Sequence, residues 1–193
     1  MKTVAQDVFE KYADDYDQWF DEHPEEYLAE LARIRQVLPA PDSRAIEVGV
    51  GSGRFAVPLG VWIGVEPSRA LCRMAHQRGI EVIRGRAEAL PIRDESCSSV
   101  LFVTVICFLD DPIAALRELY RILLPEGLLI VAFIEREGKI HQRYIREGGK
   151  RRFLSHARFY SQEEVRSLLE DTGFAMKKID SRVGFCVIAA HKV

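Results

Sequence analysis

Cysteine is scarce in this sequence, and no two cysteines are spaced to share a metal. Four cysteines are scattered over 193 residues without a C-x-x-C pair, and they are Cys72, Cys97, Cys107 and Cys186. This scarcity excludes a disulfide scaffold and a structural zinc site, and it predicts a reduced, cytoplasmic protein without a metal.

No apolar leader follows Met1, and no apolar run reaches the ~18 residues that a membrane span needs. We therefore expect neither export nor membrane insertion.

An excess of one charge is also lacking, since 27 Lys and Arg stand against 29 Asp and Glu. A net charge of −2 gives no global field to attract nucleic acid or an anionic membrane, which disfavours both as partners. Locally, however, the charges are segregated: residues 1–30 hold ten acidic and two basic side chains, and residues 135–160 hold eight basic and three acidic. Solvated surfaces explain both segments most simply. We also hypothesise that they meet when ligand binds and form a lid that excludes water.

The length and the 48% hydrophobic content indicate one structural domain with a full core. Within it we expect an N-terminal helical cap over residues 1–41 and a sheet domain over 42–193, with a basic insert at 135–160. The cap is predicted because apolar residues recur at three and four positions from 4 to 38, with a break at His23-Pro24. The sequence does not predict an oligomeric state.

After the cap, short β-branched runs alternate with helical stretches, which is typical of a doubly wound sheet. We predict a Rossmann-like α/β fold of seven strands, mostly parallel with an antiparallel C-terminal pair, and helices on both faces. The predicted buried parallel strands are 45–48, 61–65, 81–83, 100–106 and 128–134, the antiparallel pair is 174–179 and 183–190, and the helices are 67–78, 111–124 and 161–172. Ser161 and Glu164 are spaced as a capping box for the last helix.

A glycine-rich segment, Glu47-Val48-Gly49-Val50-Gly51-Ser52-Gly53-Arg54, follows the first predicted strand. Ligands bind at such corners of open parallel sheets, and glycines let a ligand lie against the backbone. A dinucleotide loop would need glycine at the position of Arg54, and Glu47 would repel a pyrophosphate and attract a cation. Nineteen residues later Glu66 ends the second strand, where an acid can bind both ribose hydroxyls. A ligand with a ribose and an ammonium but no phosphate fits both acids, and S-adenosylmethionine is such a ligand.

With these motifs the sequence resembles the class I S-adenosylmethionine-dependent methyltransferases, especially small single-domain members similar to the ubiquinone and menaquinone C-methyltransferases. The matching blocks are the E-x-G-x-G-x-G loop, Glu66-Pro67-Ser68, Gly85-Arg86-Ala87-Glu88-Ala89-Leu90-Pro91, Leu109-Asp110-Asp111-Pro112, Arg121-Ile122-Leu123-Leu124-Pro125-Glu126-Gly127, and Phe159-Tyr160-Ser161 to Gly173-Phe174. The pattern departs from the family at Arg86, Cys97-Ser98 and Glu126. The segment before Glu66 is also short and contains Pro58, so its helix should be stubby.

The resemblance implies a cofactor, S-adenosylmethionine, which becomes S-adenosylhomocysteine, and a binding role for ten residues. The implied roles are Gly49, Val50 and Gly51 for the methionine portion, Glu47 for its ammonium, Glu66 with Pro67 for the ribose, Ala87 and Glu88 for the adenine, and Val103 and Thr104 below the sulfonium. The reaction would be an in-line methyl transfer to the N, O or C atom of a small molecule.

For the acceptor, the family's pocket implies a roof made by the cap and the insert. Its expected lining residues are Tyr12, Tyr16, Trp19, Cys107 and Phe108, although core packing explains the cap aromatics equally well. The sequence assigns no catalytic residue: each histidine fits a surface role, with His23, His141 and His156 the least so. An Asn-Pro-Pro-Tyr tetrad is absent, which disfavours adenine and glutamine N-methylation.

Three other functions stay open. A nicotinamide-dependent oxidoreductase is weakened by Arg54, by Glu47 and by the lack of a Tyr-x-x-x-Lys pair. A non-catalytic S-adenosylmethionine-binding or regulatory subunit would explain the altered motifs at Arg86 and Cys97. A tRNA or rRNA methyltransferase could use the basic run Lys150-Arg151-Arg152-Phe153, which is short and has few interleaved aromatics.

Overall fold

Seven strands form one sheet in the order β3-β2-β1-β4-β5-β7-β6 in the computed structural model, which describes residues 4–148 and 152–193. The strands are β1 Ala45–Val48, β2 Ile63–Glu66, β3 Glu81–Arg84, β4 Cys97–Val103, β5 Leu123–Ile134, β6 Phe174–Arg182 and β7 Phe185–Lys192. The helices are α1 Val4–Lys11, α2 Ala13–Glu22, α3 Pro24–Arg35, α4 Ala56–Leu59, α5 Arg69–Gln77, α6 Pro112–Ile122, α7 Lys139–Arg146 and α8 Gln162–Asp171, with short 3₁₀ helices at Ile106–Phe108 and Leu154–His156.

The first five strands run parallel, and β7 inserts antiparallel between β5 and β6. The register pairs Ile46 with Val100 in the parallel part and Val131 with Ile188 in the antiparallel part. Central strands are buried on both faces, as continuous apolar runs of β-branched residues predict. The predicted fold class is therefore confirmed, including the four-residue α4 that the short segment before Glu66 indicates.

Strand β3 lies at the edge of the sheet, so its prediction as a buried strand is wrong. Its central residues are half-buried, while Glu81 and Arg84 at its ends are exposed. Charged residues on an edge strand oppose pairing with another chain, which accounts for their presence in an otherwise apolar run.

Two predicted boundaries at the centre of the sheet also shift. Strand β4 ends at Val103 rather than at residue 106, because Thr104 takes a left-handed backbone with φ +54° and a 3₁₀ helix follows. Strand β5 begins at Leu123 rather than at residue 128, because Leu123 pairs with Cys97 across an irregularity in the register. Pro125 lies in the exposed part of this strand, where its missing N–H costs no buried hydrogen bond.

Helices cover both faces of the sheet and form two apolar cores. On one face α6 and α8 contribute Leu116, Leu119, Val165 and Leu169. On the other face the cap contributes Phe20, Leu31 and Ile34, which pack with side chains of α4, β5 and β7. The cap thus shares a core with the sheet, and the boundary after residue 41 stays a prediction.

The cap and the insert contain more helical structure than the sequence predicts. The cap forms three helices rather than two, with a break at Tyr12 in addition to the one at His23 before Pro24. The insert forms α7 and a 3₁₀ helix, which its polar sequence does not predict. The predicted capping box of α8 is confirmed. Within the described ranges, no helix is long and apolar enough to cross a bilayer, and no group of three His, Cys, Asp or Glu side chains could hold a metal ion.

Candidate active site

A cavity of about 460 Å³ lies where the carboxyl ends of β1, β2 and β4 meet the cap and the insert. We call its two parts the strand end and the cap end. The strand end is lined by Val48, Gly49, Gly51, Val65, Glu66, Pro67, Ser68, Gly85, Arg86, Ala87, Glu88, Val103, Thr104 and Val105. The cap end is lined by Phe9, Tyr16, Trp19, Phe20, His23, Glu26, Glu30, Cys107, Phe108, Ile134, Ile140, Arg143, Arg152, Phe153 and Phe159.

The loop after β1 requires glycine at the two positions that line the cavity. Gly49 has φ +76°, and a Cβ there would lie 2.3 Å from Cγ2 of Val105. Its N–H donates to the carbonyl oxygen of Val65 at 2.7 Å, which fixes the loop against β2. Gly51 has φ +55°, and a Cβ there would lie 3.1 Å from Oη of Tyr16. The backbone thus forms an open cradle at the strand end.

Glu66, at the end of β2, holds this loop from the other side. Its Oε2 accepts from the N–H of Gly51 at 3.0 Å, and its Oε1 accepts from the N–H of Ser68 at 2.9 Å. Burial raises the pKa of Glu66 to about 7, although the two amide donors oppose the shift. Each carboxylate oxygen still has a second acceptor site, so the group can take two further donors.

Glu47, at the end of β1, is buried, with only 1% of its surface exposed, and it is not among the residues that line the cavity. Burial raises the pKa of Glu47 well above its usual range, and Glu66 adds to the shift. Within the described residues its Oε2 has no hydrogen-bond partner. An unsatisfied buried carboxyl is costly, so this oxygen marks a place where a donor or a cation would be stabilised.

The end of β4 supplies the cavity floor. Thr104 keeps its left-handed backbone because its N–H donates to the carbonyl oxygen of Ala132 at 2.7 Å. Sγ of Cys107 donates to the carbonyl oxygen of Thr104 at 3.3 Å. Burial raises the pKa of Cys107 to about 12, so its thiol stays neutral near pH 7. Cys107 therefore shapes the floor and supplies no thiolate.

Of the other residues predicted at the strand end, some line the cavity and one packs behind the glycine loop. Ala87 and Glu88 line the cavity, and Glu88 forms an ion pair with Arg86 at 3.2 Å. Val50 is buried and does not line the cavity, because its side chain packs against β2, where a Cβ at Gly64 would lie 2.6 Å from it. Val50 thus packs behind the loop, and only its backbone belongs to the cradle.

Aromatic side chains from the cap and the insert form the wall of the cap end. Phe9 stacks on Phe153 at 5.0 Å between centroids and meets Phe108 edge to face at 5.0 Å. Tyr16 meets Phe153 edge to face at 5.8 Å. Tyr12, also predicted to line this pocket, is not among the lining residues; its half-buried ring contacts Arg152, whose guanidinium lies 4.0 Å from the ring centroid.

Ion pairs join the acidic cap to the basic insert. Arg143 donates to both carboxylate oxygens of Glu26, at 3.0 and 2.7 Å, and Arg152 contacts Asp15. The two oppositely charged segments therefore meet, while their closure on ligand binding stays a prediction. Lys150 and Arg151 of the predicted basic run lie outside the described residues.

A second set of ion pairs ties the cap to the glycine loop. Arg54 binds Asp17 at 2.9 Å and Asp21 at 2.7 Å, and Arg78 binds Asp17 at 2.7 Å. Arg54 thus occupies the position of the third dinucleotide glycine and uses its charge to anchor α2. These two arginines hold the pKa of Asp17 below its usual range.

Sequence reasoning did not assign several residues of the cap end. Phe9, Glu26, Glu30, Phe153 and Phe159 line the cavity, although no motif places them there. One signal could have found part of this set, since Glu26 and Glu30 continue the three- and four-residue spacing of Tyr16, Trp19 and His23. The aromatics of the insert carry no such signal.

The comparisons with known proteins agree with this geometry. A family model described as a methyltransferase domain matches residues 46–131. A crystal structure from Thermotoga maritima, of an S-adenosylmethionine-dependent methyltransferase described as a possible histamine N-methyltransferase, is 39% identical with a TM-score of 0.90. The match covers 98% of this chain and 100% of that one.

Two curated relatives extend the similarity. An uncharacterised protein of Methanocaldococcus jannaschii is 37% identical over 167 residues, which are 86% of this chain and 80% of that protein. A ubiquinone biosynthesis O-methyltransferase of Parvibaculum lavamentivorans is 25% identical over 161 residues, which are 75% of this chain and 64% of that protein. The similarity thus includes proteins with assigned acceptors and proteins without one.

Proposed function

This chain belongs to the class I S-adenosylmethionine-dependent methyltransferase family, with S-adenosylmethionine as its cofactor, and we propose that it methylates a small organic molecule. One observation carries the proposal: a single cavity joins a glycine cradle, where the buried Glu66 lines the wall, to a chamber walled by aromatic side chains. Its volume of about 460 Å³ lies in the range of small-molecule sites. The acceptor would occupy the cap end.

The residues of the strand end fit the cofactor in three ways. The loop of Gly49, Val50 and Gly51 offers the open backbone that the methionine portion needs. The unpartnered Oε2 of Glu47 would be satisfied by the ammonium, and the free acceptor sites of Glu66, next to Pro67, would take the ribose hydroxyls. We assign the remaining contacts to two pairs of residues: Ala87 and Glu88 beside the adenine, and Val103 and Thr104 below the sulfonium.

When bound, the cofactor supplies an electrophilic methyl group on a sulfonium sulfur. The residues of this chain orient the reactants and exclude water from them. Such positioning can lower a barrier by on the order of 7–11 kcal/mol. Phe9, Phe108 and Phe153 would keep water out, and Tyr16 lies against the cradle at the junction of the two ends.

A small acceptor accounts for the cap end better than RNA does. Arg143 and Arg152, the described cations of the insert at the cavity, are paired with Glu26 and Asp15 of the cap, so their charge is neutralised. The descriptions of the Thermotoga and Parvibaculum relatives, one as a possible histamine N-methyltransferase and one in ubiquinone biosynthesis, also support a small molecule. We further propose a cytoplasmic location, because all four cysteines are free thiols.

A transfer assay with radiolabelled methyl groups tests this function. The panel contains small amines, phenols, quinone precursors and transfer RNA, and calorimetry measures S-adenosylmethionine and NAD binding in parallel. We expect transfer to at least one small molecule and none to RNA. Transfer to RNA alone would overturn the small-molecule proposal. Cofactor binding without any transfer would favour the regulatory subunit, and binding of NAD in place of S-adenosylmethionine would favour an oxidoreductase.

A further inference from the structure

A stripe of side chains on the cap faces the cavity across two helices. Tyr16 and Trp19 lie on α2, His23 lies at the break, and Glu26 and Glu30 lie on α3. Their spacing of three, four, three and four residues keeps them on one face even though Pro24 starts a new helix. The stripe therefore presents polar groups to the cap end, next to its aromatic and aliphatic side chains.

His23 is held in one orientation at the centre of this stripe. Its Nδ1 lies 3.0 Å from the carbonyl oxygen of Trp19, and its ring stacks on the indole with centroids 4.8 Å apart. A carbonyl oxygen can only accept, so Nδ1 carries the hydrogen and Nε2 of the neutral ring keeps its lone pair. No hydrogen bond to Nε2 occurs within the described ranges. The ring is thus prepared to accept a proton from a molecule in the cavity.

Glu30 is the carboxyl of the stripe that lacks a cation. Glu26 is neutralised by Arg143, whereas Glu30 forms neither a hydrogen bond nor an ion pair with the described residues. Burial raises the pKa of Glu30 to about 8, the neighbouring Glu26 adds to the shift, and Arg33 opposes it. Tyr16 of α2 lines the same cavity as a neutral phenol, and burial raises its pKa, with nearby carboxylates including Glu30 adding to the shift. A bound cation would relieve the cost of ionising Glu30.

The surrounding walls suit a compact apolar body. Trp19 of the cap, Ile134 at the end of β5, Ile140 of α7 and Phe159 of the insert line the same region. An aromatic face beside a carboxyl is the combination that stabilises an organic ammonium, through cation–π attraction and charge together. A carboxylate or phosphate on the acceptor would gain no such stabilisation, and the ionised form of Glu30 would repel it.

We propose that the methyl acceptor is a small organic amine with an apolar or aromatic body, held by Glu30, and that Nε2 of His23 accepts the proton of its ammonium. This inference rests on the proposed function. The N–H bond of the ammonium breaks and its proton passes to His23. The freed nitrogen lone pair forms the new C–N bond as the C–S bond breaks and its electron pair stays on sulfur. The product is a methylated ammonium and a neutral thioether, so atoms and charge balance.

Calorimetry on the protein saturated with S-adenosylhomocysteine tests the Glu30 contact without any turnover. The probes are 2-phenylethylamine and 2-phenylethanol, which share a shape but not a charge. We expect the amine to bind about tenfold more tightly or better, and Glu30→Gln to remove that preference. Near pH 7, amine binding should release a proton, measured with buffers of different ionisation enthalpy, because the ammonium favours ionised Glu30. Glu25→Gln, at an exposed site on the same helix, is the matched control.

The His23 assignment needs a separate readout. His23→Gln should leave amine affinity within about threefold but lower the transfer rate by about 10²-fold and abolish the acidic limb of the pH–rate profile. His76→Gln, at an exposed site on α5, should change neither. An unchanged pH profile in His23→Gln would overturn this role.

Outcomes for the two proposals are distinguishable. If phenols or carbon acids are methylated while amines neither bind nor react, the amine inference is overturned and the methyltransferase function stands. Equal affinity for amine and alcohol, or an unaltered preference in Glu30→Gln, also overturns it. If neither S-adenosylmethionine nor S-adenosylhomocysteine binds, the proposed function itself fails, and the amine inference fails with it.

Discussion

The two ends of the cavity are formed by different parts of the polypeptide, backbone at the strand end and side chains at the cap end. The strand end consists mainly of backbone at the carboxyl ends of parallel strands, with Gly49 and Gly51 in conformations that exclude a Cβ. The cap end consists of side chains on helices and loops, held by partly exposed ion pairs such as that of Arg143 with Glu26. We therefore expect most substitutions in the glycine loop to weaken cofactor binding. At the cap end, a single side-chain substitution should change acceptor affinity without affecting the cofactor.

The largest effect should come from Gly49→Ala, which breaks the strand end. The new Cβ would overlap the Val105 side chain at 2.3 Å and would hold alanine at φ +76°. We expect a loss of unfolding free energy on the order of 3 kcal/mol and a loss of S-adenosylmethionine affinity of at least about 100-fold. Chemical denaturation and calorimetry measure the two effects.

A matched control separates backbone strain from the overlap. Gly79 has φ +88°, but a Cβ added there would meet nothing within 4 Å, so Gly79→Ala carries the strain alone. This variant should lose about 1 kcal/mol of stability and keep its cofactor affinity. Wild-type affinity in Gly49→Ala would contradict the close approach of cofactor and loop.

Glu66→Gln tests whether the strand end binds the cofactor through this carboxylate. The amide keeps the shape but loses one acceptor, so we expect cofactor affinity to fall by about 1–3 kcal/mol, or about 5- to 150-fold. In the wild type, affinity should also weaken as the pH falls below about 7, because the protonated carboxyl is a poorer acceptor for ribose hydroxyls. Calorimetry at several pH values between about 6 and about 8 measures both effects.

The pH dependence in Glu66→Gln should be weaker than in the wild type. Glu81→Gln on the exposed edge strand β3 provides the control and should leave affinity and its pH dependence unaltered. If Glu66→Gln binds the cofactor as tightly as the wild type at about pH 8, the ribose assignment of Glu66 is wrong.

The buried acids at both ends should reverse the usual pH dependence of stability. Burial raises the pKa of Glu66 to about 7 and that of Glu30 to about 8, so the folded protein holds protons that the unfolded chain has released. Unfolding free energy in the absence of ligand should therefore fall by several kcal/mol as the pH rises from about 4.5 to about 8. Urea unfolding at successive pH values measures the slope.

Single variants assign this slope to the two ends of the cavity. Glu66→Gln should flatten it up to about pH 7, and Glu30→Gln should flatten it up to about pH 8, because each removes one raised carboxyl. A stability that rises steadily over this range in the wild type would show that neither carboxyl is protonated in the folded protein.

The smallest effect should come from Arg143→Gln, which loosens the cap end alone. Its pair with Glu26 is partly exposed, with side chains 38% and 32% accessible, so its contribution should be about 0.2–1 kcal/mol. We expect the acceptor KM to rise by at most about fivefold, with the cofactor Kd unaltered. Higher salt should raise the wild-type KM in the same direction by screening the pair.

Arg166→Gln tests whether this effect is local. Among the residues that the structure describes, Arg166 pairs only with the exposed Glu163 and Glu170 of its own helix, so its loss should leave KM and its salt dependence unaltered. A wild-type KM that does not change with salt would remove the support for a lid formed by the charged segments.

The sheet and the strand end could be predicted because local chemistry determines them. A glycine loop after a β-branched run, and an acid ending the next strand, place Gly49, Gly51 and Glu66 together through the topology of parallel strands. The sequence also predicts that Glu47 binds the ammonium of the ligand; the structure buries this carboxyl with its Oε2 unpartnered among the described residues, and the contact with the ligand stays a proposal.

The cap end could not be predicted to the same extent, because tertiary contacts position it. The helix break at Tyr12 is an example, because the three- and four-residue periodicity continues through it and does not reveal it. Phe153 enters the wall by stacking on Phe9, which is far away in the sequence, and no local pattern encodes that contact. The sequence shows only that Arg54 replaces the third glycine of a dinucleotide-binding motif. The structure explains this residue, because Arg54 forms an ion pair with Asp17 of the cap.

The most direct test of the two-ended cavity is a calorimetric titration with S-adenosylhomocysteine of the wild type, Glu66→Gln and Glu30→Gln at about pH 8. We predict one binding site per chain, with affinity about tenfold lower or worse in Glu66→Gln and within about twofold of the wild type in Glu30→Gln. Equal losses in both variants, or none in Glu66→Gln, would contradict the division of the cavity into a cofactor site and an acceptor site.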